Sequence, residues 1–261
     1  MNDGHRNVQA RRFVAGVGQA VDEPLAEETP VALLYNGHPH AVMMATPADL
    51  EDFAVGFSVS EGLVAKAGEV RVVDQVRHGD GIALHLHVPQ AAFDALVSRG
   101  RSLAGRTGCG LCGTESLADA IRPIRRVRGL PAVSSRLVML FDELQARQPL
   151  NALTGGVHAA AVLDDVLHLH VREDVGRHNA IDKAIGAALR HGASPQQLLV
   201  TSRASYEVVH KAATAGIGLV AAISAPTALA VRLASEAGLT LVGFARGARH
   251  TLYTGIDAET L

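Results

Sequence analysis

Two hydrophobic periods divide the chain. In the first half, short apolar runs alternate with turn residues. Val31-Ala-Leu-Leu-Tyr35 and Ala41-Val-Met-Met44 flank Asn36-Gly37, and Asn-Gly between apolar runs predicts a β-hairpin from Pro30 to Pro47. Thr46-Pro47 then opens a helix. Asp49, Glu51 and Asp52 fall in its first turn, where acids complement the dipole, and Leu50, Phe53, Ala54 and Phe57 share one face, with Gly62 near the end. A second hairpin is predicted from Val70 to Val88, turning at Gly79-Asp80-Gly81, and a short helix from Ala91 to Arg99.

In the second half the period lengthens. Ser134 or Ser135 is expected to cap a helix carrying Leu137, Leu140, Phe141 and Leu144. A loop, Asn151 to Gly156, leads to a hairpin through Asp164-Asp165. Helix, strand, helix, strand, helix and strand follow, centred near Ala184, Leu199, Val209, Val220, Leu229 and Leu241. Strands alternating with helices predict parallel βαβ units and therefore an α/β layered domain. Ala212 to Val231 is a stretch of 20 residues without a charge, a length that could span a bilayer. It is Ala-rich and holds Gly216, Gly218, Ser224, Pro226 and Thr227, so it reads as a buried strand followed by a helix start, with Pro226-Thr227 as break and cap.

Length and composition narrow the function classes. A chain of 261 residues with 48% hydrophobic and 19% charged residues can bury one or two cores and is not a disordered polyelectrolyte. Its net charge of −2 argues against a strongly basic nucleic-acid binder, and 3% aromatics with no Trp leave little for base stacking. Met1 to Arg12 carries no apolar core of signal-peptide type, which predicts a cytoplasmic address with no membrane partner. There are 21 Arg and 3 Lys; the ratio fits either anion recognition, for which planar guanidinium is suited, or simple genomic base composition.

The sharpest chemical feature is Cys109-Gly-Leu-Cys112, the only two cysteines. A thiol pair at this spacing can ligate a metal, cycle as a disulfide, or carry sulfur. Structural zinc would need a second ligand pair, yet there is no further cysteine and no HxxxH spacing among the 13 histidines. Zinc deaminases place H-x-E before P-C-x-x-C. Here the CxxC precedes His158, Ala160 stands where the catalytic Glu belongs, and no Pro precedes Cys109. No metal ligands, and no zinc, are therefore expected. A thioredoxin-like site would follow a strand and open a long helix, but Ser102-Leu-Ala-Gly-Arg-Thr-Gly108 is not strand-like and Pro123 cuts the following helix short. Sulfur carriage suits the local chemistry better. Gly108, Gly110 and Gly113 free the backbone, and Arg106 favours the nucleophilic thiolate.

Three further features bear on anions. Arg99, Arg101, Arg106, Arg122, Arg125, Arg126 and Arg128 are opposed only by Glu115 and Asp119, a local net of +5 that is either a solvated face or a surface for an anionic ligand or acidic partner. Glu173-Asp-Val-Gly-Arg-His-Asn179 sits at a strand-to-helix junction, where ligand sites and helix caps both occur. Phe244-Ala245-Arg246-Gly247-Ala248-Arg249 ends the last long strand, and two arginines around a glycine suit phosphate oxygens.

Several motifs, in order and spacing, carry a resemblance. They are Leu50-Glu-Asp-Phe-Ala-Val-Gly-Phe57 with Ser60-Glu-Gly62, then Arg106-Thr-Gly-Cys-Gly-Leu-Cys-Gly113, Thr154-Gly-Gly-Val-His-Ala159, Glu173-Asp-Val-Gly-Arg-His-Asn-Ala-Ile-Asp-Lys183, Thr201-Ser-Arg203 and Gly243-Phe-Ala-Arg-Gly247. From about Glu27 to Gly255 the chain resembles the formate dehydrogenase accessory sulfurtransferases, the FdhD sulfur carriers. The resemblance implies a cytoplasmic homodimer with three parts: a divergent segment 1–26, an antiparallel-rich subdomain 27–132 ending in the CxxC loop, and a cytidine-deaminase-like αβα domain 133–261 without the deaminase zinc. It implies a sulfurtransferase-type role. Sulfur passes from a cysteine desulfurase to a persulfide on Cys109, with Cys112 as its companion. From there it goes to the molybdenum of the bis(molybdopterin guanine dinucleotide) cofactor, before that cofactor enters formate dehydrogenase. It also implies that Phe244, Ala245, Arg246, Gly247, Ala248 and Arg249 bind the cofactor, with guanosine diphosphate as a partial mimic. Two other readings stay open on the residues alone: a CxxC dithiol oxidoreductase, and a non-enzymatic cofactor-binding chaperone.

Overall fold

The computed structural model describes residues 4–100 and 121–255. A hairpin of His5–Val14 (β1) and Val17–Ala26 (β2) comes first. Next are Thr29–Tyr35 (β3), His38–Ala45 (β4), Leu50–Ser60 (α1), Arg71–His78 (β5), Gly81–His87 (β6) and Gln90–Gly100 (α2). The second half comprises Ser134–Ala146 (α3), Pro149–Thr154 (α4), His158–Asp164 (β7), Leu169–Asp174 (β8), Arg177–Arg190 (α5), Pro195–Val200 (β9), Tyr206–Thr214 (α6), Leu219–Ala222 (β10), Ala228–Ala237 (α7), Thr240–Arg246 (β11) and Arg249–Thr254 (β12).

The architecture is mixed α/β with a layered sheet–helix domain. β4-β3-β6-β5 form a four-stranded sheet in which only the β3–β6 pair is parallel. β12-β11-β10-β9-β7-β8 form a six-stranded sheet. Its centre, β9-β10-β11, is parallel, as βαβ crossovers through α6 and α7 require. The flanks are antiparallel: short turns join β7 to β8 and β11 to β12, and β7 also pairs antiparallel with β9. Ala160, Val162, Leu198, Val200 and Val220 on one face of this sheet meet α5, α6 and α7. Ala159, Ala161, Leu163, Leu199 and Val242 on the other meet α3. The period-2 alternation along β7 thus serves two cores at once.

α1 lies between the small sheet and α5. Leu50, Phe53, Ala54 and Phe57 join Val31, Leu33 and Leu84 in the small-sheet core. The helix is buried almost all round, because its other side meets α5 through glycines. A Cβ added at Gly56 would collide with the Asp182 carbonyl oxygen, and one at Gly186 with that of Asp52. Asp52 is consequently buried and ion-paired to Arg172 (2.7 Å) and Arg190 (2.6 Å) rather than serving the helix dipole alone.

The hairpin turns at Asn36-Gly37 and Gly79–Gly81 and the succession from α5 to β11 agree with the sequence reading. Thr227 caps α7 by accepting from the Ala230 N–H at 3.2 Å. Four expectations need correction, and one segment is new. Thr46 does not open α1, which begins at Leu50; its backbone and hydroxyl bind the end of β8 instead. The N-cap of α3 is Val133, not Ser134 or Ser135. Residues 151–154 belong to α4, stopped by Gly155 at φ 63. The stretch from Ala212 begins inside α6 rather than as a strand. Residues 5–26, given no element from sequence, form the exposed β1–β2 hairpin. Among the described residues, no helix is long and apolar enough to cross a membrane.

Candidate functional site

The motifs around His158, Asp174, Thr201 and Phe244 converge on one edge of the six-stranded sheet. The parallel strands β9, β10 and β11 end there at Thr201–Arg203, Ile223–Ser224 and Phe244–Arg246. β7 runs the opposite way, so its start at His158 joins them, and so does the end of β8 at Asp174. The carboxyl edge of such a sheet is where ligand crevices form, because helices start there and leave their first N–H groups unpaired.

One end of this edge opens into a cavity of about 670 Å³ between β4 and the start of α5. Met43, His40, His158, Gly176, Arg177 and His178 are among its walls. α5 begins at Gly176 with no side-chain cap, so its N-terminal N–H groups add positive potential to the Arg177 cation. Burial, together with Arg177 and His178 nearby, holds the His158 imidazole below its ordinary pKa. His178 Nε2 lies 3.4 Å from Glu207 Oε2 without hydrogen-bond alignment, and is buried. That contact is the main reason the Glu207 carboxyl is pushed down to about 2. The cavity therefore presents apolar walls with a cluster of basic groups, a combination that accepts an anionic group on a flat, partly apolar molecule.

The floor is fixed from beneath. Asp174 Oδ1 accepts from the Gly176 N–H (2.7 Å) and Asn179 Nδ2 (3.0 Å), and its Oδ2 accepts from the Thr46 N–H (3.0 Å). Asn179 Nδ2 also donates to the Met44 carbonyl at 2.7 Å, and Lys183 Nζ to that of Thr46 at 2.9 Å. Asp174 and Asn179 are thus scaffold that fastens β4 to α5; Arg177 and His178, between them, face the cavity. Glu173 receives the Leu150 and Asn151 N–H groups and so starts α4.

The other end of the edge is the β11–β12 turn. Phe244 adopts φ 53, unusual for a residue with a Cβ. The Arg249 guanidinium lies over its ring at 5.6 Å, and Arg246 Nε donates to the Ile223 carbonyl at 3.1 Å. Both guanidinium groups remain solvent-accessible. At about 4.8 Å per strand, β11 and β8 are separated by four strand steps, roughly 19 Å. Phe244 to Arg249 therefore stands on the same edge as the cavity but at its far end.

A buried polar network joins the cavity wall to the residues after the cysteine segment. Lys211 Nζ contacts both oxygens of Asp182 (2.8 and 2.9 Å), Ser60 Oγ (3.1 Å) and Glu61 Oε1 (2.7 Å). Glu61 Oε2 accepts from Arg122 Nη1 at 2.9 Å, and the Arg122 N–H donates to the Tyr206 hydroxyl at 3.0 Å. Burial opposes the Glu61 charge, but Lys211 and Arg122 outweigh it and hold the carboxyl down at about 2. Tyr206 precedes Glu207, which faces His178, so the chain emerging at Arg122 is anchored next to the cavity.

Cys109, Cys112 and Arg106 lie outside the described residues, as does Arg101. Of the remaining arginines in the basic stretch, Arg122 is absorbed in the network and Arg125 donates to the Thr214 carbonyl at 3.3 Å. Among the described residues, no three metal-ligating side chains converge in the cavity. Sequence reasoning did not single out His40 and Met43. They sit on an edge strand, and only the docking of α5 against that strand turns its face into a wall.

Comparison with known proteins bears on this arrangement. The FdhD/NarQ family model matches residues 26–259. A protein of Cupriavidus necator named sulfur carrier protein FdhD is 51% identical over 253 residues, covering 95% of this chain and 88% of its own. One of Xanthomonas euvesicatoria with the same name is 52% identical over 240 residues, covering 90% and 85%. In structure, the chain is similar to a Desulfotalea psychrophila protein named as a formate dehydrogenase accessory protein. The TM-score is 0.72 at 25% identity, covering 96% of this chain and 97% of the other. With the family model spanning nearly the whole sequence and relatives above half identity, the chain belongs to the FdhD/NarQ family.

Proposed function

We propose that this chain is a sulfur carrier serving formate dehydrogenase. Its Cys109 thiolate attacks the terminal sulfur of a cysteine desulfurase persulfide; the new S–S bond forms on Cys109 as the desulfurase thiolate leaves. The outer sulfur then passes to the molybdenum of a cofactor bearing two guanine dinucleotides, held as substrate along the carboxyl edge of the large sheet: the S–S bond breaks, Cys109 leaves as the thiolate, and the two electrons that bring the sulfur to sulfide level come from the reduced substrate metal or a thiol reductant. The observation that carries this reading is the anion-accepting edge itself, with Arg177 and the uncapped α5 N-terminus at one end and Arg246 and Arg249 at the other. Two separated basic clusters suit a ligand with two phosphate-bearing arms, and relatives at about 51% identity are named sulfur carriers. Phe244 offers a ring on which a guanine can stack, and the α5 N-terminus offers N–H groups to phosphate. The companion Cys112, a homodimeric state and a cytoplasmic site of action belong to the same reading.

Complementation tests it. In cells lacking their own copy, the wild-type chain restores formate dehydrogenase activity, whereas Cys109→Ser does not and Arg177→Ala with Arg246→Ala restores little. Full restoration by Cys109→Ser would leave only cofactor binding, the chaperone reading.

A further inference from the structure

Away from the carboxyl edge, at the opposite end of the large sheet, three histidines gather. His168 and His170 are two apart on and beside β8, so the pleat turns both toward α5, while Leu169 and Val171 face the α3 core. His191 caps the C-terminus of α5. The ring centroids of His168 and His170 are 4.4 Å apart, those of His170 and His191 5.1 Å, and those of His168 and His191 6.2 Å. Ligand atoms of Asp164, His168 and His170 lie within 4.8 Å of one another.

Second contacts decide which nitrogens are free. The His191 Nδ1 lies 2.7 Å from the Ala187 carbonyl, which can only accept, so Nδ1 carries the proton and Nε2 keeps its lone pair. His170 Nε2 lies 2.8 Å from Asp164 Oδ2. Asp164 Oδ1 is occupied by the N–H groups of Val166 (3.0 Å) and His168 (2.8 Å), which fix the carboxylate as an acceptor. His170 therefore donates from Nε2 and keeps its lone pair on Nδ1. An imidazole oriented by a carboxylate or a carbonyl through its other nitrogen is the usual preparation of a metal ligand.

The backbone holds the cluster in place. The Asp165 N–H donates to the Ser194 carbonyl (3.0 Å) and the Ser194 N–H returns to Asp165 Oδ1 (2.9 Å), which locks the β7–β8 turn to the loop after α5. Leu167 in that turn adopts φ 66, the left-handed region that a Cβ disfavours. His168 and His191 are exposed, whereas His170 and Asp164 are buried.

We propose that His168, His170 and His191 bind a divalent transition-metal ion of the zinc, nickel and copper group, with Asp164 as the orienting carboxylate and water in the open positions. Three imidazoles without thiolate suit these borderline ions and not magnesium or calcium. Zinc–nitrogen bonds of about 2.0–2.1 Å put tetrahedral ligand nitrogens about 3.4 Å apart. The exposed His168 ring can close that distance by turning about its side-chain bonds, while Asp164 and the Ala187 carbonyl keep His170 and His191 oriented. The ion would staple the β7–β8 turn to the C-terminus of α5. The cluster lies at the opposite end of the large sheet from the carboxyl edge.

The test uses the tag-free full chain with Cys109→Ser and Cys112→Ser, so that no thiol chelates the ion. After dialysis against zinc sulfate, elemental analysis is expected to find one equivalent retained, and the melting temperature to rise with zinc. His168→Ala and His191→Ala, both at exposed positions, should each weaken zinc binding by about tenfold or more and abolish the rise. No retained zinc, or retention unchanged in both histidine variants, would overturn the proposal.

Discussion

Lys183 Nζ stands 2.6 Å from Asp174 Oδ2, and neither side chain reaches solvent. The pair lies beneath the start of α5 and, through Thr46, ties the small sheet to the large one, with Asn179 adding a bond to the Met44 carbonyl. The cavity exists because these two elements are held at a fixed separation.

Removing one partner leaves a buried charge unpaired, which costs about 3–5 kcal/mol. Lys183→Met should therefore lower the urea midpoint sharply. Asp174→Asn combined with Lys183→Met should recover part of the loss, since no charge is then stranded. A double variant no more stable than Lys183→Met alone would show that the hydrogen bonds of Asp174, rather than its charge, hold the junction.

The α1–α5 crossing makes a similar demand on size. Gly56→Ala and Gly186→Ala each drive a methyl into a facing backbone carbonyl. Overpacking of this kind costs about 1–3 kcal/mol, which outweighs the helix-propensity gain of roughly 1 kcal/mol. Chemical denaturation should show a lower midpoint for both variants, in contrast with Gly68→Ala, where a Cβ meets open space.

Glu61 supplies a pH signature. Its carboxyl is held at about 2 in the folded chain, against about 4.3 when unfolded. A depressed carboxylate stabilises the fold fully above its unfolded pKa, and that contribution is lost as pH falls from about 4.3 toward 2. Glu61→Gln should thus be less stable than wild type at pH 7, and the difference should shrink between pH 5 and pH 2.5. Thermal melts across that range measure it; a constant difference would mean that the Lys211 and Arg122 pairs do not set the charge state.

Arg246 and Arg177 should separate binding from folding. Each charge-assisted phosphate bond contributes roughly 1.5–3 kcal/mol, so losing one should weaken binding by about ten- to a hundredfold. By calorimetry, wild type should take up guanosine diphosphate in preference to adenosine diphosphate, and Arg246→Ala or Arg177→Ala should bind it more weakly with little change in melting temperature. Unaltered affinity in both would move the phosphate site elsewhere on the chain.

Local rules reach far into this fold. Asn36-Gly37 and Gly79-Asp-Gly81 mark their hairpins because the turn itself needs those residues, and Thr227 marks a cap because its hydroxyl acts within one turn. What fails is whatever depends on partners distant in sequence. Thr46 reads as a helix opener, yet it is taken by Asp174, 128 residues away. Asp52 reads as a dipole acid, yet two distant arginines claim it. The site divides in the same way. The motif from Glu173 to Lys183 is visible as a unit, but only packing sorts its scaffold, Asp174, Asn179 and Lys183, from its cavity-facing Arg177 and His178. The cavity wall on β4 has no signal of its own, since it becomes a wall only when α5 docks.

Sulfur loading on Cys109 is the most direct test of the proposed role. The full chain, reduced and then incubated with a cysteine desulfurase and cysteine, should gain about 32 Da (one sulfur atom) by intact-mass spectrometry, with the gain mapped to the Cys109 peptide and removed by dithiothreitol. Cys109→Ala should show no gain. Equal loading of Cys109→Ala and wild type, with formate dehydrogenase still activated, would contradict sulfur carriage by this cysteine.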